Sequence, residues 1–219
     1  LATTTTKSYA AFAQGTYAIG DRTNLTAGGR YTIDKRDIDG TQFALVGNTV
    51  PPGTSFGTHI ASKTFKSPSW RLTIDREVVD NVLVYARYDR GFKSGSFNTS
   101  QPFQDAVRPE KLDAFEIGVK SEFLDRIVRF NAAAFHYSYK DIQLGKAAGD
   151  GTNQLLNAAR AKIKGGEAEL TVAPPLGEID FQLKGGLSIL DSKYSDFTGG
   201  PFSEPTGVGG NILGNRDLS

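Results

Sequence analysis

Apolar and polar side chains alternate in steps of two residues along this chain, and this pattern constrains its fold more than any other feature. Between residues 24 and 34, the apolar set is Leu25, Ala27, Gly29, Tyr31 and Ile33. Residues 179–189 repeat the pattern with six alternate apolar or glycine positions. Successive side chains of a β-strand point to opposite faces, whereas a helix would scatter these residues around its circumference. The alternation therefore predicts an all-β fold.

The same alternation predicts about eight strands. Their expected bounds are Ser8–Ile19, Asn24–Arg36, Phe65–Asp75, Val82–Phe92, Leu112–Glu122, Ile127–Tyr139, Ala158–Val172 and Ile179–Tyr194. Most exceed the five or six residues usual in globular sheets, and their length suits tilted strands that cross a bilayer. The mean hydropathy of −0.32 excludes membrane helices only, because apolar and polar side chains average out along such strands.

The predicted connections alternate in length. Short turns are expected near residues 20–22, 77–81, 124–126 and 174–177, and long loops at 37–64, 93–111 and 140–157, with a loop-like tail from Ser195. Outer-membrane barrels sort their connections in this way. A soluble β-sandwich explains the alternation equally well, but strand length and loop sorting favour an antiparallel transmembrane β-barrel segment.

In such a barrel the apolar faces meet lipid and the polar faces line the lumen. The charged residues expected in the lumen are Arg30, Asp34, Arg71, Asp75, Glu116, Lys120, Glu122, Asp180 and Lys184. The facing of strands 82–92 and 127–139 stays open. Their aromatics, Tyr85, Tyr88, Phe135, Tyr137 and Tyr139, suit either an interfacial girdle or the lumen.

The order of the connections predicts a piece of a larger barrel. Because the first connection is a short turn, both ends of the chain lie on the long-loop side, whereas a complete barrel keeps both termini on the short-turn side. We therefore expect residues 1–219 to be part of a larger barrel domain, such as one of about 22 strands, with the terminal strands absent.

The amino-acid composition argues against several classes of function. The 25 basic and 24 acidic residues leave no excess for binding nucleic acid. The chain has no cysteine and only two distant histidines, which argues against thiolate metal sites, cysteine nucleophiles and a histidine-rich metal centre. We expect no metal site, no cofactor and no catalytic residue. His136 and Ser138 share one face of a strand, as a base and a nucleophile must, which leaves a lipase-like barrel enzyme as an alternative.

Four segments, in order, carry a family resemblance. Residues 84–98 contain YxxYxxGFKxGxFN, residues 108–120 contain PExxxxxExGxK, residues 130–143 contain NxAxFxxxYxDxQ, and residues 157–167 contain NAxxAxxxGxE. The stretch 27–31 is similar to an earlier GxRY strand. These segments resemble the barrel of TonB-dependent outer-membrane receptors. The resemblance implies a barrel of about 22 strands around a plug domain, and we expect residues 1–219 to be part of that barrel domain, with the plug domain absent.

The resemblance implies a bacterial outer-membrane protein that takes up a scarce nutrient, most often a ferric siderophore, otherwise cobalamin or a saccharide. Its partners would be membrane lipid, the small-molecule ligand and the TonB complex, which acts through the plug region. A passive porin-like channel remains an alternative. Ligand contacts are expected in the long loops and at the lumen mouth. The candidates are Arg36, His59, Arg90, Lys93, Phe97, Phe103 and Lys146.

Overall fold

A single antiparallel sheet forms the described part of the protein. The structure is a computed structural model that describes residues 2–43, 51–147, 153–177 and 179–197. The strands are β1 (Ala2–Ala18), β2 (Thr23–Phe43), β3 (Ser55–Val79), β4 (Val82–Lys93), β5 (Glu110–Phe123), β6 (Val128–Ala147), β7 (Asn153–Val172) and β8 (Leu183–Phe197). They pair in sequence order, and within the described residues β1 and β8 do not close the sheet into a barrel. The predicted all-β fold of eight strands is confirmed.

Several strands extend further on the long-loop side than the sequence predicts. β2 continues to Phe43 and β3 begins at Ser55, so much of the loop expected at 37–64 is strand. β6 and β7 likewise extend their hairpin to Ala147 and Asn153. Of the three expected loops, the one between β4 and β5 keeps nearly its whole length, as residues 94–109.

The start of β8 corrects another expectation. The strand begins at Leu183 rather than Ile179, and residues 176 and 179 form only an isolated bridge. Asp180 therefore precedes the strand and does not line the lumen wall. The predicted tail from Ser195 lies, beyond Phe197, outside the described residues. No helix in the described part of the chain is long and apolar enough to cross a membrane.

The pairing register assigns every strand residue to a face. Arg71, Asp89 and Ala114 are successive cross-strand partners, as are Arg87, Glu116 and Phe135. We call the face that holds Arg87 and Glu116 the inner face and the opposite one the outer face. The charged residues predicted for the lumen, Asp180 apart, lie on the inner face.

The register also resolves the facing of β4 and β6. Tyr85, Phe135, Tyr137 and Tyr139 lie on the inner face, whereas Tyr88 lies on the outer face. On the outer face Tyr88 stacks on the ring of Phe115, with 4.5 Å between ring centroids.

Glycines on the inner face let aromatic rings lie flat across neighbouring strands. Tyr85 covers its cross-strand partner Gly118, where an added Cβ would stand 2.6 Å from the ring. Phe135 covers Gly165 on β7 in the same way, at 2.8 Å. Aromatic cover of strand glycines helps to fix register. The four segments of the family resemblance, which we call the signature segments, are therefore in contact. Gly118 and Gly165 belong to the second and fourth, and the rings that cover them, Tyr85 and Phe135, belong to the first and third.

Candidate ligand-binding site on the inner face

A polar trough runs along the inner face. It holds an open pocket of about 920 Å³. Its charged wall is a chain of ion pairs in which Arg71 bonds Asp89 at 2.6 Å, Arg87 bonds Asp89 at 2.8 Å, and Arg87 bonds Glu116 at 3.0 Å. The hydroxyl of Tyr85 donates to the other oxygen of Glu116 at 2.8 Å. These ion pairs place each charge of the wall beside an opposite charge, although the buried Nε of Arg87 makes no hydrogen bond among the described residues.

The β4–β5 loop, residues 94–109, folds over the upper part of the inner face. Phe97 and Ala106 of the loop form a buried cluster with Ile38 of β2 and Phe65 of β3. Gly95 is required at its position, because a Cβ there would stand 2.3 Å from the ring of Phe65 and from the carbonyl oxygen of Val107. The loop is therefore packed onto the sheet through a small apolar core of its own.

A set of hydrogen bonds fastens the ends of this loop to β6 and β7. The amide of Asn157 donates to the backbone oxygens of Arg108 and Asp141, and its side-chain oxygen accepts from the Arg108 backbone N–H at 2.7 Å. Gln143 donates to the backbone oxygens of Ser94 and Arg108. Arg108 also pairs with Asp141 at 2.7 Å. We call Arg108, Asp141, Gln143 and Asn157 the loop clamp.

Two basic residues lie side by side under this loop. Arg36 on β2 and Lys63 on β3 are cross-strand partners on the inner face. The Lys63 ammonium reaches the backbone oxygen of Ala106 at 3.4 Å. The Nε of Arg36 is buried and meets no hydrogen-bond acceptor among the described residues. A buried donor without a partner is unfavourable, so this guanidinium is prepared for an acceptor from outside the sheet.

An aromatic contact lies further out along the same strand. The rings of His59 and Phe103 are 5.3 Å apart and inclined at 39°. His59 is on the inner face of β3, and Phe103 belongs to the β4–β5 loop and is exposed. Lys93, at the inner-face end of β4, is exposed and lies 3.7 Å from Glu110. Arg36, His59, Lys93 and Phe103 therefore share the loop end of the inner face.

Three other predicted contacts are placed differently. Arg90 lies on the outer face, where its guanidinium covers Trp70 at 4.6 Å and bonds Asp113 at 2.5 Å, so its placement at the lumen mouth was wrong. Phe97 is buried in the loop core and offers no free stacking surface. Lys146 is half-buried near the end of the β6–β7 hairpin.

The pair suggested for catalysis lies on the outer face. His136 has Phe115 and Lys164 as cross-strand partners, and Ser138 has Asp113 and Lys162. Asp113 is the carboxylate that would have to orient a base, but it already accepts bonds from Tyr88, Arg90 and Lys140. The arrangement gives no support to a hydrolase.

The sequence interpretation missed Lys63 and the loop clamp. Lys63 falls in a stretch expected to be loop, where the facing of a side chain cannot be read. The clamp residues do occupy positions of the signature segments, and this was the available signal. The segments do not reveal that four pieces of chain, namely the two ends of the loop, β6 and β7, meet there.

Comparison with known proteins agrees with this architecture. The family model described as TonB dependent receptor-like, beta-barrel matches residues 2–216. The ferric yersiniabactin uptake receptor FyuA of Yersinia pestis aligns with a TM-score of 0.72 and 23% identity over 89% of this chain and 28% of its own. The comparison with curated proteins found no match.

Two further solved structures share the fold. The siderophore receptor PiuA of Acinetobacter baumannii aligns with a TM-score of 0.66 and 18% identity over 94% of this chain and 28% of its own. The copper transporter OprC aligns with a TM-score of 0.69 and 18% identity over 87% of this chain and 30% of its own. The chain thus spans less than a third of the length of these proteins.

The family match covers nearly the whole chain, and the open sheet, the outer apolar stripes and the inner polar trough are what a sector of such a barrel requires. Members of this family are transporters of the Gram-negative outer membrane, not enzymes. This chain belongs to the TonB-dependent receptor β-barrel family and is an outer-membrane protein.

Proposed function

We propose that this chain is a sector of the barrel wall of a receptor that actively takes up a ferric siderophore. In the whole receptor, a barrel of about 22 strands encloses a plug domain, and the TonB complex acts through that plug. The open sheet and the extent of the matches support this proposal, because the chain covers about 28% of FyuA.

The fold does not choose the ligand, since its structural neighbours include both siderophore receptors and a copper transporter. The side chains of the inner face favour one chemical class of ligand. Arg36, Lys63 and Lys93 offer positive charge, and His59 with Phe103 offers a flat aromatic surface at the same end. An anionic chelate with aromatic or heterocyclic groups satisfies both kinds of contact.

The observation that carries the proposal is the guanidinium of Arg36. Its buried Nε meets no acceptor among the described residues, although the group stands beside a second cation. Hydrogen bonds to charged groups are among the stronger ones in proteins. An anionic ligand held at the lumen mouth would accept a hydrogen bond from the Nε of Arg36. Where it does not reach this atom, its negative charge would still attract the positive charges of Arg36 and Lys63.

The test is uptake of radioactive iron by the complete receptor in cells that lack their own siderophore receptors. Individual ferric siderophores should be taken up only when the TonB complex is functional. Replacement of Arg36 by glutamine should weaken ligand binding by about tenfold or more, because a charged contact is lost. The control is Arg22→Gln, which removes an arginine paired with Asp80 at the opposite end of the sheet.

Two outcomes would overturn the proposal. Uptake that continues without TonB would indicate a passive channel. Equal binding by Arg36→Gln, Arg22→Gln and the parent receptor would remove the inner-face site, even if transport itself remained TonB-dependent.

A further inference from the structure

A second open pocket on the inner face is not used by the candidate site at the loop end. It has a volume of about 650 Å³ and borders the polar trough, with which it shares Arg71 and Arg87. We call it the wall slot. Its floor consists of one small residue from each strand between β2 and β5, and its two sides carry one aromatic ring each. The floor residues are Gly28, Ser69, Gly91 and Ala114, and the rings are Phe12 of β1 and Tyr137 of β6.

The wall slot is separate from the candidate site at the loop end. Arg30 and Arg36 lie on the same face of β2, six residues apart, which is about 20 Å along a strand. The side chains of Thr32 and Asp34, which lie between them on this face, are buried. The two arginines therefore cannot contact the same small chemical group.

The floor of the wall slot is open where other parts of the inner face are covered. At Gly118 and Gly165, the rings of Tyr85 and Phe135 lie over the glycine. At Gly91, an added Cβ would have no heavy atom within 4 Å. The described part of the chain thus provides no ring for Gly91, although aromatic cover of a strand glycine is favourable.

The two rings at the sides of the slot are available for contact. Phe12 is 75% exposed on the inner face, which leaves a large apolar side chain in the aqueous lumen. The ring of Tyr137 is held in place by Phe135, on which it stacks with 4.7 Å between centroids. Aromatic rings prefer stacked or edge contacts with other rings. An aromatic partner would bury Phe12 and would find a fixed ring in Tyr137.

The wall slot also carries unmatched positive charge. The other guanidinium groups of the trough wall are matched by carboxylates. Arg30 donates its Nε to the hydroxyl of Thr32 at 3.2 Å and forms no ion pair within the described part of the chain. Its side chain is exposed, and Phe12 is its cross-strand partner on β1. A free cation therefore adjoins an exposed ring.

A flat group with negative charge satisfies the floor, the rings and the cation together. Guanidinium groups bind anions through charge-assisted hydrogen bonds and also stack on aromatic faces. We propose that the wall slot is a second binding site, specific for aromatic anions of the catecholate or hydroxybenzoate type in a ferric chelate. For the identity of the chelate, this inference rests on the proposed function. It adds a site about 20 Å further along the wall, to which the chelate passes from the loop end.

The first experiment measures binding of ferric tris(2,3-dihydroxybenzoate) to the purified complete receptor by equilibrium dialysis. The parent receptor should show two classes of site. Arg30→Gln should weaken one class by about tenfold or more, because a charged hydrogen bond is lost, and should change the other by less than about twofold. Arg36→Gln should do the reverse. Arg22→Gln, at the short-turn end of the sheet, should change neither class.

A second variant closes the slot without removing a charge. Gly91→Leu places a side chain over the open floor, where an added Cβ meets nothing, so the melting temperature should be kept. Binding at the slot should weaken by about threefold or more, because the chelate and the new side chain compete for the same space. The matched control is Gly15→Leu, at an outer-face glycine that is equally open.

The ring of Phe12 should discriminate between chelates. Phe12→Ala should weaken slot binding of ferric tris(2,3-dihydroxybenzoate) by about three- to tenfold, the usual contribution of an aromatic pair. Binding of ferric citrate, which is anionic but has no ring, should not change. Tyr9→Ala removes an exposed ring from the outer face of the same strand and serves as the control.

A single class of site, weakened by Arg36→Gln and not by Arg30→Gln, would overturn the proposal, because another part of the receptor would then fill the slot. Equal slot binding by Gly91→Leu and Gly15→Leu would do the same. Iron uptake that continues without TonB, in a receptor that still shows both classes of site, would remove the proposed function and leave the wall slot. The two proposals can therefore fail separately.

Discussion

The two faces of the same strands solve different physical problems. The outer face is a field of exposed apolar side chains, such as Leu187 and Ile117, which need only be hydrophobic because lipid adapts to their shape. The inner face depends on particular neighbours, with Tyr85 lying over Gly118 and bonding Glu116, and Phe135 lying over Gly165. The signature segments supply these inner residues. The sequence motifs shared with the family are therefore those that build the inner face of the wall.

The largest effect should come from placing a charge on the outer face. Leu187→Arg puts a guanidinium in the middle of the apolar stripe of β8 and should cost about 2–4 kcal/mol of unfolding free energy in lipid vesicles. Its neighbour Ser188 lies on the inner face, opposite Glu167, and Ser188→Arg should be mild. Denaturant titration of the complete receptor in vesicles measures both. Equal costs would contradict the assignment of the faces.

Inner-face glycines that lie under an aromatic ring should be less tolerant of substitution than glycines with open space around them. A methyl group on Gly165 would stand 2.5 Å from the carbonyl oxygen of Ile189 and 2.8 Å from the Phe135 ring. Gly165→Ala should therefore destabilise by about 1–3 kcal/mol, a typical cost of overpacking. Gly29 on the outer face has nothing within 4 Å of an added Cβ, so Gly29→Ala should be neutral or slightly stabilising. A neutral Gly165→Ala variant would show that the wall is more plastic than described.

The loop clamp should control local opening more than global stability. Asn157→Ala leaves backbone groups of Arg108 and Asp141 without their partner, and local opening should become easier by about 1–2 kcal/mol. Hydrogen exchange of residues 94–109 should accelerate about tenfold or more. The control Asn131→Ala changes an amide in the trough wall away from the clamp. Unchanged exchange in Asn157→Ala would show that the apolar core alone holds the loop.

The smallest effect concerns Asp37, near the long-loop end of β2. The hydroxyl of Ser62, followed by the charges of Lys35 and Lys7, lowers the pKa of this carboxyl below its ordinary value of 3.8. Because its folded pKa is lowered, its charge stabilises the folded protein above the unfolded pKa, and this contribution is lost as pH falls through the folded value. Asp37→Asn should be slightly less stable than the parent at neutral pH, and the difference should shrink below pH 3.8 and disappear once the pH has fallen through the folded pKa. Thermal melts across this range measure it. If the stability difference between Asp37→Asn and the parent stayed constant down to the lowest pH, its cause would be something other than the charge of Asp37.

The alternation of side chains was sufficient to predict the strands and their faces within the membrane. It failed beyond the membrane, where the outer face of a strand meets polar surroundings and the inner face is partly covered by a loop, so that period two disappears. This is why β2 and β3 were predicted too short at Arg36 and Phe65, although they extend to Phe43 and from Ser55. At β8 the opposite error arose, because Ile179 and Phe181 continue the alternation without joining the ladder.

The site was predicted less well because residue type does not reveal facing. Arg90 was chosen for its charge, but its position on β4 sends it to the outer face, onto Trp70 and Asp113. Phe97 was chosen for its ring, and the inward fold of its loop buries it against Ile38 and Phe65. Both errors follow from long-range packing that a local pattern does not contain.

Environment-sensitive fluorophores on single cysteines along β8 test the central claim most directly, because the chain contains no cysteine of its own. In the complete receptor, reconstituted with brominated lipids, labels at 185, 187 and 189 should be strongly quenched. Labels at 186, 188 and 190 should be quenched little, because the register places them on the inner face. Uniform quenching along the strand, or quenching of the even positions instead, would contradict the two-faced wall on which every proposal depends.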